Sequence, residues 1–185
     1  EIDDFNDSQD FQIKNLGLAI AATSQISGID IITPLSKNIH QTINFPGRFE
    51  KITVGKLMSH LSKNNELYLD GSHNPDAAKN INACLEELEN TKDLCIIIGM
   101  LNSKDPHNYV KEFSNVKLIK TITIPGEENS LSSSELKNKL LTLHNNVSEE
   151  DSIEAAIKAI ASSNPDARIL ICGSLYLAGQ VLKLN

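Results

Sequence analysis

Apolar and polar positions divide the chain into an isolated helical stretch and a long alternation of strands and helices. Across residues 11–26 the apolar residues Ile13, Leu16, Ala19 and Ile20 recur at helical spacing. The Ala22-Thr23 pair extends the stripe, and Gly28 stands where a helix would stop. This predicts an amphipathic helix with little nearby in the sequence to pack against. Residues 33–48 carry two prolines, Pro34 and Pro46, mixed polarity and no sustained period, which is how a connection between domains reads.

After that connection the pattern becomes regular. Strands are expected near residues 49–54 and 66–70, then a helix over 74–88 and a buried strand over 94–99. A helix over 105–113, a strand over 116–124 and a helix over 132–141 follow. Residues 145–147 are ambiguous. A helix over 152–161, an apolar strand over 167–172 and a helix over 174–184 complete the series, with Asp166 and Gly173 as punctuation. Pro125-Gly126-Glu127-Glu128-Asn129 reads as a mobile surface loop, and the serines after it as helix caps. Strands nearly continuous in Ile, Leu and Val, separated by helices, imply a sheet covered on both faces. The expected fold class is therefore α/β: a Rossmann-like, mainly parallel sheet of about five or six strands with helices on both faces. Residues 1–33 form a helical segment outside it, 34–48 a linker, and 49–185 the sheet domain.

A chain of 185 residues supports one principal domain and a short annex. With 40% apolar and 22% charged residues it has the balance of a chain that folds. A net charge of -7 without any Lys/Arg-rich run argues against nucleic acid or an anionic membrane surface as the main partner, and makes a small molecule the default. No apolar run reaches the roughly 20 residues of a membrane span, and Glu1-Ile2-Asp3-Asp4 is the reverse of a signal peptide, so a cytoplasmic location is expected. A start at Glu rather than Met, in a polar stretch leading into a helix, suggests that something upstream has been removed. Cys84, Cys95 and Cys172 lie scattered among apolar residues, without metal-site spacing, and read as buried thiols.

In an open parallel sheet, ligands bind beyond the carboxyl ends of the strands, where helix N-termini present unpaired N–H groups. Three turns there have unusual composition. In Leu69-Asp70-Gly71-Ser72-His73-Asn74-Pro75, Asp70 ends a strand, Asn74 can cap the next helix and Pro75 suits its first position. A strand-end carboxylate can accept from two ribose hydroxyls, and a nearby imidazole can bond a phosphate or reacting group. Turn chemistry alone explains Asp, Gly, Ser and Asn equally well, and His73 less well. Gly99-Met100-Leu101-Asn102-Ser103-Lys104-Asp105 places a charged cluster at a helix start, with Asp105 before Pro106 favoured as a simple cap. Cys172-Gly173-Ser174-Leu175-Tyr176 brings small residues to the mouth of the last helix, where Ser174 is either a cap or part of a close ligand approach. In Pro46-Gly47-Arg48 the guanidinium can reach phosphate oxygens when two domains close on a nucleotide, or simply be solvated. Neither a GxxxxGK[ST] nor a GxGxxG segment occurs, so the main grip on a triphosphate must lie elsewhere.

Together, Pro46-Gly47-Arg48-Phe49-Glu50, Leu69-Asp70-Gly71-Ser72-His73-Asn74-Pro75, Gly99-Met100-Leu101 with Lys104-Asp105, and Gly173-Ser174-Leu175-Tyr176-Leu177 closely resemble the folylpolyglutamate synthase and dihydrofolate synthase family of the Mur ligase superfamily. Each motif alone is weak, whereas four in order along nearly the whole chain are specific. The resemblance implies the C-terminal Rossmann-like domain of such a ligase, preceded over residues 1–33 by the last helix of its central P-loop ATPase domain. It also implies that Asn15 contacts the adenine side of ATP, that Arg48 reaches the phosphates, and that Asp70 binds the nucleotide. His73 matches a histidine needed for activity, expected to orient the γ-phosphate or the incoming glutamate. The implied reaction uses ATP and Mg2+ to phosphorylate a dihydropteroate or folate carboxylate, and the amine of L-glutamate then displaces phosphate. The magnesium ligands and most pterin contacts are expected upstream of Glu1, so this chain alone should be inactive, and a monomer is expected. A peptidoglycan-precursor ligase of the same superfamily and a non-catalytic Rossmann-like binding module are the alternatives.

Overall fold

The computed structural model describes residues 10–27, 46–88 and 92–185. The chain divides into two compact units, Glu1–Pro46 and Gly47–Asn185. In the first, the expected helix forms as α1, Asp10–Ser27. Asn15 and Leu18 on it are exposed, and the Thr23 hydroxyl donates to the Ala19 carbonyl one turn back at 2.7 Å. The expected stop at Gly28 and most of the expected linker lie outside the described residues. The last two linker residues, Gly47 and Arg48, group with the sheet unit.

Among the described residues the second unit holds β1 (Glu50–Ile52), β2 (Glu66–Leu69), α2 (Pro75–Glu87), β3 (Asp93–Ile98), α3 (Pro106–Val110), β4 (Val116–Thr121), α4 (Ser133–Leu140), β5 (Val147–Glu149), α5 (Ile153–Ser163), β6 (Ala167–Cys172) and α6 (Leu175–Leu184). A short 3-10 turn, Leu57–His60, follows β1. The strands make one six-stranded sheet in the order β1-β2-β6-β3-β4-β5, with β1 antiparallel to β2 and every other pairing parallel.

Helix starts follow the side chains that can satisfy free N–H groups. Asn74 accepts from Ala77 N–H and precedes Pro75; Asp105 accepts from Asn108 N–H and precedes Pro106. Ser132 and Glu135 make a reciprocal capping box on α4, while Ser152 and Ser174 cap α5 and α6. Alternation along the strands then divides the core. Leu67, Leu69, Cys95, Ile97, Ile169 and Ile171 pack with α5 and α6 on one face. Tyr68, Leu94, Ile96, Ile98, Leu170 and Cys172 pack with α2, α3 and α4 on the other. Central strands β3 and β6 are buried on both faces, which is why they read as unbroken apolar runs, and each large aliphatic side chain there contributes about 1.5–3 kcal/mol.

Several boundaries differ from those the pattern predicts. The strand expected to reach residue 124 ends at Thr121, whose hydroxyl donates to the Ser133 carbonyl at 2.8 Å. The helix expected over 105–113 closes at Val110, and the ambiguous stretch near 145–147 yields edge strand β5. The loop after Pro125 is not a free surface loop, because the turn after β3 braces it. Asn102 N–H donates to Asn129 O at 2.9 Å, Leu131 N–H to Met100 O at 2.9 Å, and the Ser130 hydroxyl accepts from Ile124 N–H at 2.9 Å.

Strand β6 is inserted between β2 and β3 although it comes last in sequence. The crossover from β2 runs through α2 on one face, and the one into β6 runs through α5 on the opposite face. Such a reversal opens a crevice at the carboxyl ends of the strands, and here the turns after β2, β6 and β3 lie side by side in it.

Candidate functional site

The turn after β2 is built around a buried carboxylate. Asp70 is 3% exposed; its Oδ2 accepts from Phe49 N–H at 2.7 Å and its Oδ1 from Ser72 N–H at 2.6 Å. Burying a carboxylate is costly unless donors replace water, and these two amides do so. Gly71 N–H adds a bond to Gly47 O at 2.8 Å. The Gly47-Arg48-Phe49 turn is thereby fastened to the end of β2. Its shape is unusual: Gly47 has φ 71° and Phe49 φ 47°, a left-handed conformation that a phenylalanine rarely adopts. Phe49 is held in it by the Asp70 bond and by stacking on Tyr68, ring centroids 5.0 Å apart and planes inclined by 22°. Arg48, between the two, points its charge from an exposed position.

The turn after β6 touches the first directly. Gly173 N–H donates to Ser72 O at 3.0 Å, and Gly173 has φ 106°; a Cβ there would lie 2.7 Å from Gly99 O, in the turn after β3. Only glycine lets the three turns meet. Leu175 and Tyr176 open α6 from exposed positions, at 51% and 58%. In the turn after β3, Lys104 is half-buried, and Asp105 is held below the usual carboxylate range by hydrogen bonds from the Asn108 amide and side chain.

Of the expected site residues, the structure brings Arg48, Asp70 and His73 together at this edge, and Asn15 lies in the other unit. The bland readings of Asn74, Asp105 and Ser174 are realised, since each caps its helix. Asp70 stands differently from an open acceptor, because both its oxygens already receive one amide each. A carboxylate has about four lone-pair sites, so half its capacity stays available. By contrast, the side chains of Arg48, His73 and Lys104 make no hydrogen bond or ion pair to any described residue. Among the described residues one guanidinium, one ammonium and one imidazole thus remain without a partner, His73 just before the cap of α2, Lys104 just before the cap of α3 and Arg48 in the turn fastened to the end of β2, groups of the kind that receive anionic oxygens.

Sequence reasoning missed the support beneath this edge. The Tyr109 hydroxyl lies 2.7 Å from Ser72 Oγ, with both residues buried. They stand 37 residues apart with no shared local pattern; the only sequence signal was a tyrosine where the apolar face of α3 needs a hydrophobe. Among the described residues no group of three or more His, Cys, Asp and Glu could hold a metal ion, and no helix is long and apolar enough to cross a membrane.

Comparison with known proteins places the chain in a family. A family model described as "Dihydrofolate synthetase, C-terminal domain" matches residues 53–184. A folylpolyglutamate synthase of Lacticaseibacillus casei is 30% identical over 180 residues, covering 93% of this chain and 38% of that protein. A UDP-N-acetylmuramyl-tripeptide synthetase of Oceanobacillus iheyensis is 31% identical, covering 94% of this chain and 34% of that protein. Among solved structures, E. coli FolC in complex with DHPP and ADP superposes with a TM-score of 0.71 at 23% identity, covering 91% of this chain and 38% of that chain. This chain therefore spans little more than a third of the proteins it resembles, and it belongs to the dihydrofolate synthetase C-terminal domain family.

Proposed function

We propose that this chain is the nucleotide-contacting C-terminal part of an ATP-dependent ligase that joins L-glutamate to dihydropteroate, to folate (poly)glutamates, or to both. The observation that carries the reading is the meeting of three strand-end turns with the Gly47-Arg48-Phe49 turn fastened to them, which leaves Arg48, His73 and Lys104 without a partner among the described residues at one edge of the sheet. In this reading Arg48 takes phosphate oxygens of ATP, as a guanidinium does bidentately, and Asp70 offers the nucleotide the lone pairs that Phe49 and Ser72 leave free. His73 orients the γ-phosphate or the incoming glutamate, and Asn15 on α1 faces the adenine side. Helix α1 is then the last helix of a central ATPase domain, with residues 34–48 as the linker to the sheet domain. Mg2+ would be held by that domain's residues, and the ligase would act in the cytoplasm as a monomer.

The chemistry balances simply. A substrate carboxylate oxygen attacks the γ-phosphorus and ADP leaves; the neutral amine of L-glutamate then attacks the acyl carbon and expels inorganic phosphate, losing a proton as the amide forms. What a domain of this kind supplies is position and positive charge against developing negative charge, not covalent chemistry. The ADP found in the E. coli FolC structure supports the nucleotide part of the assignment.

The likeness to the muramyl-tripeptide synthetase supports a second reading, a ligase acting on a peptidoglycan precursor. One assay separates them: ADP release by the full-length protein with L-glutamate and, in turn, dihydropteroate, a reduced folate and a peptidoglycan precursor. Release with the pterins, reduced at least about a hundredfold in Asp70→Ala and His73→Ala, is the expected result. Release with the precursor alone would establish the second reading.

A further inference from the structure

A single buried hydrogen-bonded string runs beneath the three turns. It starts at Tyr109 on α3, which is 0% exposed and sits edge-on to Phe113, ring centroids 5.4 Å apart. Burial pushes its phenol well above the ordinary range, so the hydroxyl stays protonated. From its oxygen the string passes at 2.7 Å to Ser72 Oγ, beside the buried Cys172 thiol. Ser72 then reaches in two directions: its N–H donates to Asp70 at 2.6 Å, and its carbonyl accepts from Gly173 N–H at 3.0 Å. Asp70 hands the connection to Phe49 N–H at 2.7 Å, next to Arg48. His73 is the residue after Ser72. Tyr109 itself follows Lys104-Asp105 by one helical turn, so the string links the turns after β2, β6 and β3 with the Gly47-Arg48-Phe49 turn, and three of these four bear His73, Lys104 and Arg48. A phenylalanine would fill the same apolar space, and would give up only the hydroxyl's contacts with Ser72 Oγ and with the Cys172 thiol at the end of β6.

We propose that the Tyr109 hydroxyl is a positioning group: by holding Ser72 it fixes the turn that bears His73 and, through Asp70, the turn that bears Arg48. It touches no substrate, and its effect on the reaction rests on the ligase reading above.

The test uses the full-length protein and Tyr109→Phe, which removes one oxygen and keeps the ring. Amide hydrogen exchange, which needs no assumption about the reaction, should quicken at Ser72, Gly173 and Phe49 by about tenfold, while Ile97 in β3 stays unchanged. Equal exchange at the three turn amides in both proteins overturns the proposal, as does quickening at Ile97 by the same factor. In the ligase assay, run where both proteins are fully folded, the variant should lose about five- to tenfold in kcat/KM for ATP. Pairing it with Ser72→Ala leaves no unpartnered hydroxyl in the interior. If the single variant suffers only from that orphaned oxygen, the double variant recovers full kcat/KM for ATP, which overturns the proposal; no recovery is the expected result. Should the unaltered protein release ADP with none of the acceptors, the ligase reading falls and the exchange data alone decide the role of Tyr109.

Discussion

At the scale of single residues, the site depends on a few positions with no freedom to vary. Gly173 combines a φ of 106° with backbone contact to Gly99, so Gly173→Ala strains the chain and pushes two strand-end turns apart. Its expected cost is about 2–4 kcal/mol, read as a lowered denaturant midpoint. The cysteines are the opposite case, inert by placement. Burial pushes Cys84 and Cys95 up to about 11 and Cys172 up to about 12. At pH 8 a thiol at about 11 is ionised in roughly one molecule in a thousand. Iodoacetamide should therefore label none of the three within minutes in the folded protein and all three in denaturant, as counted by intact mass. The sequence already showed that these thiols sit among apolar residues. It did not show that Asp70 is buried with both oxygens engaged, because Phe49 lies 21 residues away and reaches it through an amide, which no side-chain pattern records.

At the scale of elements, legibility followed length and period. Strands β3 and β6 and helices α2 and α5 were evident because continuous burial or a capped amphipathic face repeats the same instruction many times. Strand β5, with three residues, and the 3-10 turn at Leu57–His60 repeat nothing, and their existence is decided by partners far along the chain. Between strands, one polar clamp stands out. Glu66 of β2 receives Lys51 Nζ of β1 at 2.9 Å and Arg168 Nε of β6 at 2.9 Å. Burial alone would raise its carboxyl; the hydrogen bonds from Lys51 and Arg168 outweigh this and hold it below its ordinary 4.5. With the folded value depressed, the clamp contributes fully above that ordinary value and is lost as pH falls through the lower folded one. Glu66→Gln should therefore cost about 1–3 kcal/mol at neutral pH and flatten the fall of stability below about pH 4.5, measured by urea melts across pH 3–7.

At the scale of the whole sheet unit, two cores share one set of strands. Ile96 and Ile97 are neighbours in β3, both 0% exposed, yet they belong to opposite faces. Truncating either to Ala should lower stability by about 3–4 kcal/mol, and the unit should still unfold in one transition because the sheet transmits the loss from one face to the other. Chemical denaturation followed at two wavelengths checks both expectations. The family resemblance gave the fold class before any coordinates and directed attention to one edge of the sheet; the hydrogen bonds that tie that edge together needed the fold, since they join residues from four separate segments.

The sheet's two borders carry a final consequence. Among the described residues, β1 and β5 are the outermost strands; each is three residues long and charged, through Glu50 and Lys51 on one side and Glu149 on the other. Unpaired backbone along a sheet border invites another chain to continue the ladder, and short charged borders offer it little purchase. Concentrated solutions should accordingly resist fibrillar self-association, and fusions or labels placed next to these strands need to preserve that charge if the protein is to stay dispersed.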